Sequence, residues 1–158
     1  MSLDKLFKQD RLKAHRTSKK EIGNLLRVIK RDLRDAKIKG LSVDRKFTTA
    51  YNAALQGATI LLYCRGYKPR GVGHHFIVFQ AMKDILGKDY YDLADYFDAC
   101  RAKRNLTDYD YAGAISRTEA HELVREAEIF LHIVLDWLKQ HYPRYLNYIR
   151  VSPRNSNS

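Results

Sequence analysis

The chain has 158 residues, 29 Lys/Arg against 18 Asp/Glu for a net charge of +11, and 11 Tyr, 6 Phe and one Trp. That length fits one domain with a single core. The ordinary apolar content excludes a disordered chain, except at the polar C-terminal run VSPRNSNS. The N-terminus MSLDKLFKQDRLKAHR lacks the apolar stretch of a signal peptide. The longest uncharged run, Phe47 to Cys64, contains Thr, Asn, Gln and Gly and reads as a buried helix, not a membrane span. Cys64 and Cys100 are far apart and form no C-x-x-C pair, so they read as small buried residues of a reducing compartment. A cytoplasmic protein with no metal site and no cofactor is expected.

The charge is uneven. Residues 1–40 hold 13 Lys/Arg against 5 Asp/Glu, so most of the excess is N-terminal. A basic helix face attracts polyanions without sequence preference, RNA or DNA being the commonest. The alternative is a solvated face that keeps a small protein soluble.

In chain order, residues 1–17 read as a basic arm or short helix, with an extra helix expected somewhere in residues 2–14. Residues 18–145 read as a helical bundle and residues 146–158 as a polar, flexible tail. Ser18 and Glu21 have capping-box spacing, in which two side chains satisfy free N–H groups at a helix start. Ile22, Leu25, Leu26, Ile29, Leu33 and Ala36 then form one apolar stripe, with Lys30, Arg31 and Arg34 on the other face. These three cations are candidate nucleic-acid contacts.

A second helix is expected after Ser42. It carries Phe47, Ala50, Tyr51, Ala54, Ala58, Leu61 and Leu62, small enough in places for another helix to approach closely. CRGYKPRGVG stops it, because glycine and proline break helices. A third helix carries Phe76, Phe79, Met82 and Leu86 and ends at Gly87. A fourth runs from Tyr90 through Phe97 and Cys100. Ser116 and Glu119 open the last and longest stripe, from Ala120 to Leu138. No window alternates at period two, so almost no strand is expected. The fold class is all-α, a single-domain antiparallel bundle of about five main helices.

The stretch RAKRNLTDYDY, residues 101–111, concentrates the chemistry. Arg101, Lys103 and Arg104 are placed in the last turn of the fourth helix, where the helix dipole favours cations. Arg104 can equally present its planar fork of donors to a phosphate. Asn105 can cap the helix in a left-handed conformation or orient Arg104. Tyr109 and Tyr111 either anchor a loop or line a site. His74 and His75, in GVGHHF, lie at the start of the third helix and are candidate proton carriers, His75 being the one singled out. HELVREAE is not a zinc motif, because Arg125 stands where the second His is needed.

RNLTDYDY resembles the R-N-x-x-x-H-x-Y motif of HEPN domains, with Arg104, Asn105 and Tyr111 at matching positions and Tyr109 in place of His. The alanine-rich helix, the GVGHHF turn and the long last helix resemble the same family, over roughly residues 42–142. The resemblance implies a small all-α homodimer in which Arg and His from two protomers meet in a cleft and cleave RNA without metal. It makes Arg104 and Tyr109 the catalytic candidates, with His75 as a substitute base, and Arg101, Arg104, Asn105 and Tyr111 the RNA- or nucleotide-binding set. Tyrosine has an ordinary pKa of about 10, so at neutral pH it seldom accepts a proton. The expectation is therefore an RNA- or nucleotide-binding domain with altered or lost ribonuclease activity. The alternatives are an active ribonuclease toxin of a toxin–antitoxin or defence pair, and a helical protein–protein adaptor. The implied partners are a second copy of the chain, RNA or a nucleotide, and a cognate antitoxin or nucleotidyltransferase. Tyr111 corresponds to a tyrosine that resembles a nucleotide acceptor in two-gene toxin systems.

Overall fold

A computed structural model describes residues 2–71, 73–109 and 114–146, without the side chains of residues 106–109. In chain order the elements are α1 (Leu3–Lys8), β1 (Leu12–Ala14), α2 (Lys19–Asp35), α3 (Val43–Cys64), β2 (Tyr67–Pro69), α4 (His74–Leu86), α5 (Tyr91–Tyr109) and α6 (Arg117–His141). Short 3-10 turns cover Lys88–Tyr90 and Pro143–Leu146. The fold is the all-α bundle expected, with five main helices among the described residues and α1 as a short sixth.

The helix starts follow local chemistry. Ser18, Ser42 and Ser116 each accept a hydrogen bond from the backbone N–H three residues on. Among the described residues only α6 has the full capping box, in which Glu119 also accepts from the Ser116 N–H. At α2 the expected reciprocal bond is replaced. The Glu21 carboxylate is bonded to His15 Nε2 and to the Thr17 hydroxyl, both at 2.7 Å. Burial raises the Glu21 pKa, but the bonds from Thr17 and His15 and the nearby charges of His15 and Lys68 outweigh it and hold the carboxyl below its usual value. The chain before α2 folds back beside the helix start and offers these donors first.

That fold-back is a small departure from the sequence reading. The extra helix covers only Leu3–Lys8, and Asp10, at φ 63°, ends the turn after it. Residues 12–14 then pair antiparallel with 67–69, in the register Leu12↔Pro69, Lys13↔Lys68 and Ala14↔Tyr67. Leu6 and Leu12 are fully buried and carry this segment into the core. A three-residue strand is too short to leave an alternating pattern in the sequence.

Helix α3 is the hub, packed by α2, α4, α5 and α6. Ala50, Ala53, Ala54, Gly57 and Ala58 are buried along it. At Gly57 α6 packs closely: a Cβ there would stand 2.8 Å from Cε2 of Phe130. Phe130 is itself buried against Phe97, ring centroids 5.2 Å apart, so it links α3, α5 and α6. On another side of α3, Asn52 donates to the buried Asp32 of α2 at 2.5 Å, and Arg31 donates to the other carboxylate oxygen at 3.0 Å. At the far end, Arg65 donates to the Tyr142 hydroxyl at 2.6 Å and lies 4.9 Å from the Trp137 ring centre, tying the end of α3 to the end of α6. Cys100 is buried, as expected, but Cys64 is only half-buried.

Gly57→Ala tests the hub. Alanine gains about 1 kcal/mol of helix propensity, while displacing a packed Phe130 costs about 1–3 kcal/mol. Urea unfolding should show a net loss of stability of roughly 1 kcal/mol, and Phe130→Leu should make the same alanine neutral or stabilising.

Candidate functional site

The site forms where α3, α4 and α5 meet. Helix α4 follows a turn in which Gly71 and Gly73 take left-handed φ angles of 84° and 71°. These angles favour glycine. His74 is exposed, its Nδ1 3.1 Å from the Gly71 carbonyl. His75, half-buried, faces α3, and its Nδ1 lies 3.0 Å from the Tyr51 hydroxyl. Phe79, one turn further along α4, meets the Tyr51 ring edge-on at 6.1 Å and fixes it from the side. Tyr51 is 1 % exposed. From α5, the Arg104 guanidinium stands 5.4 Å from the centre of the Tyr51 ring. Arg101, one turn earlier, donates to Asp98 through Nε at 2.7 Å and Nη2 at 3.4 Å. A tyrosine ring thus sits between a histidine and two arginines that are far from it in sequence.

The electrostatics follow from burial and from those cations. Burial pushes the His75 pKa down, and the charges of His74, Arg104 and Arg101 push it the same way, to about 4. Burial raises the Tyr51 phenol well above its usual value, although Arg104 and Arg101 pull the other way. The Arg101 pKa is raised, chiefly by its hydrogen bond to Asp98. At neutral pH the cluster therefore holds a neutral imidazole, a neutral phenol and two guanidinium groups. Such a set accepts an anion.

The sequence candidates distribute unevenly. Arg101, Arg104 and His75 come together around Tyr51. The expected helix end does not occur: α5 continues to Tyr109, so Arg101 and Arg104 are not in a last turn and the dipole does not explain them. No glycine or proline interrupts the sequence before Gly113, so nothing local stops the helix at Arg104. Asn105 is exposed within α5 and is not a left-handed cap. Tyr109 is the last residue of α5 and its side chain lies outside the described residues, as Tyr111 does entirely.

Lys30, Arg31 and Arg34 are exposed on α2. Lys30 and Arg34 border a hollow of about 360 Å³ shared with Leu131, His132 and Glu128 of α6, where Lys37 pairs with Glu128. Arg31 faces a different hollow and pairs with Asp32. Asn52, which contacts α2, follows Tyr51 by one residue, a turn of about 100° around α3. The α2 cations and the α5 arginines therefore have different neighbours.

Tyr51 is the site residue that sequence reading missed, because its spacing fits the apolar stripe. The available signal was its hydroxyl, since a phenol buried on a helix of alanines needs a hydrogen-bond partner. Among the described residues no cluster of His, Cys, Asp and Glu could hold a metal ion, and no helix is long and apolar enough to cross a membrane.

The architecture defines an all-α bundle that carries an Arg-Asn motif on α5 facing the start of α4. The sequence pattern of SAV_6107-like HEPN domains matches residues 40–135, and the chain belongs to the HEPN family. The match takes in α3, β2, α4, α5 and most of α6, and leaves α1, β1 and α2 outside it. No curated protein and no solved structure matches the chain.

His75 gives a direct check on the site's electrostatics. Its folded pKa lies below the ordinary value of about 6.5, so the unfolded chain takes up the proton first as pH falls. That contribution to stability is intact above about pH 6.5 and is lost progressively down to about pH 4. An NMR titration of the His75 ring should show a midpoint near 4, well below those of exposed histidines. A midpoint at or above the ordinary value would exclude the burial and the neighbouring charges described.

Proposed function

We propose that this HEPN domain binds the phosphate groups of RNA or a nucleotide at the Arg101–Arg104–His75 cluster, with the family's ribonuclease activity altered or lost. The observation that carries this reading is the convergence of two α5 guanidinium groups with the start of α4 around Tyr51. Cations beside a neutral histidine suit a phosphate. The histidine position of the motif holds Tyr109, whose phenol is a poor base at neutral pH. Asn105 and Tyr111 belong to the same proposed binding set. Lys30, Arg31 and Arg34 form a second, non-specific basic face that adds long-range attraction for the rest of the polyanion.

The test uses one mixed-sequence RNA with two readouts, in EDTA. Binding should weaken steeply with added salt. Arg104→Ala should lower affinity about tenfold, the scale of one charge-assisted contact. Neutralising Lys30, Arg31 and Arg34 together should reduce the salt dependence more than it changes the site. Cleavage by the unaltered protein should be absent or slow, and Tyr109→His should raise it. Fast cleavage that is abolished by His75→Ala or Tyr109→Phe, with the fold intact, would instead make this an active ribonuclease of the toxin type. A base must be neutral to act, as His75 is, but its lowered pKa also makes it a weak proton acceptor, which counts against that second reading.

The proposed assembly is a homodimer with the motif near the interface, in the cytoplasm, alongside a cognate antitoxin or nucleotidyltransferase. Tyr91 is exposed at the start of α5, 5.6 Å from Lys83 by its ring centre, and supplies an aromatic contact of the kind enriched at interfaces. Sedimentation velocity at micromolar concentration should give a dimer mass, and a monomer alone would refute the assembly.

A further inference from the structure

We infer that Tyr51 is a positioning residue: its hydroxyl donates to Nδ1 of His75, holds the ring with its proton on Nε2, and makes this histidine a hydrogen-bond donor to a phosphate oxygen and not a base. The choice of phosphate as acceptor rests on the function proposed above, whereas the tautomer rests on the Tyr51–His75 contact and on the burial around it.

Tyr51 is almost completely buried, so its hydroxyl cannot turn to bulk water. A buried hydroxyl hydrogen requires an acceptor. Among the described residues the hydroxyl has one hydrogen-bond partner, His75 Nδ1 at 3.0 Å. The charged groups that face Tyr51 from α5 are Arg101, Arg104 and Asp98. Two of them are cations and accept nothing. Asp98 can accept, but its oxygens are turned to Arg101, and among the described residues no hydrogen bond joins it to the Tyr51 hydroxyl. If the bond ran the other way, from Nδ1–H to the hydroxyl oxygen, the phenolic hydrogen would be stranded in the core. The phenol is therefore the donor and Nδ1 the acceptor.

Two further conditions make this assignment persist at neutral pH. The imidazole must be neutral, since a doubly protonated ring has no acceptor at Nδ1. The phenol must also keep its proton. Burial and the neighbouring arginines depress the histidine, and burial raises the tyrosine, so both conditions hold. The other ring nitrogen, Nε2, then carries an N–H. A neutral ring with its proton on Nε2 and its lone pair committed to Tyr51 has no free lone pair for a ribose hydroxyl. Beside Arg101 and Arg104 it adds a third donor. Tyr51 would thus bias the site towards gripping a phosphate, and it would do so from the core, without touching the ligand.

The experiment reads the tautomer and the ligand separately. Long-range proton–nitrogen spectra of the full chain at neutral pH report which ring nitrogen carries the proton, with His75 assigned by its loss in His75→Gln. The wild type should show a single Nε2–H form. Tyr51→Phe keeps the ring that packs against Phe79 and removes only the hydroxyl. It should release His75 to a mixture of tautomers, with little change in helical content. A wild-type ring protonated on Nδ1, or already mixed, overturns the proposal without need of any variant. A tautomer unchanged in Tyr51→Phe overturns it as well, since a purely packing tyrosine would give that result. Inorganic phosphate is the ligand probe. Its affinity should fall several-fold in Tyr51→Phe and in His75→Asn, and be largely retained in His75→Gln, whose amide places a donor near Nε2. If the tautomer behaves as stated while phosphate binds neither wild type nor variants, the positioning by Tyr51 is upheld and the phosphate-binding function is what fails.

Discussion

The close approach of other helices to α3 is the constraint on which the rest depends. A helix packed by four others must carry small residues where they touch, and α3 does so at Ala50, Ala53, Ala54, Gly57 and Ala58. Gly57 admits Phe130, and Phe130 meets Phe97. This sets α5 and α6 against α3 and against one another. Large side chains fill the space between these close contacts, and Tyr51 is one of them. It occupies the side where α4 and α5 converge, so the packing that closes the core also places a phenol between a histidine and two arginines.

The site's chemistry is a consequence of that depth. A tyrosine and a histidine at a surface would titrate near their ordinary values and would bond to water. Here burial keeps both neutral, and the two guanidinium groups discourage a third positive charge on the imidazole. The result is an electropositive cluster whose uncharged members have definite hydrogen-bonding roles. Arg101 is held by Asp98 on its own helix. Arg104 is held over the Tyr51 face, where an arginine–aromatic contact contributes roughly 0.5–2 kcal/mol according to its exposure. These restraints limit how far either cation can move when it meets an anion.

The part of the chain outside the family match is integrated by different means. Leu6 and Leu12 are buried, β1 pairs with β2, and Glu21 gathers His15 and Thr17 at the start of α2. Asp32 then ties α2 to Asn52 of α3. These contacts anchor the most basic segment on the domain while leaving Lys30, Arg31 and Arg34 exposed. The strand that receives β1 ends at Pro69, only a few residues before the glycine turn that presents His75. The N-terminal segment and the site are therefore joined through one short stretch of backbone.

The sequence by itself determined the helices, because their signals are local. The apolar repeats behind Ser18, Ser42 and Ser116 specified three of them, and Gly87 marked the end of α4. It also determined the family, through Arg104 and Asn105 and the order of the elements around them. Only the tertiary structure decided what the motif faces. The bond from Tyr51 to His75 spans 24 residues, and Arg104 arrives from a third helix. Periodicity records which side of a helix is apolar, but not which neighbour covers it. The same limit explains the short strands, which are too brief to set a pattern, and the true length of α5, where polar residues hid a helix that nothing in the sequence breaks. It also explains why two basic clusters that look alike in the sequence have different neighbours. Helical geometry fixes the turn of about 100° between Tyr51 and Asn52, but only packing assigns α4 and α5 to one and α2 to the other.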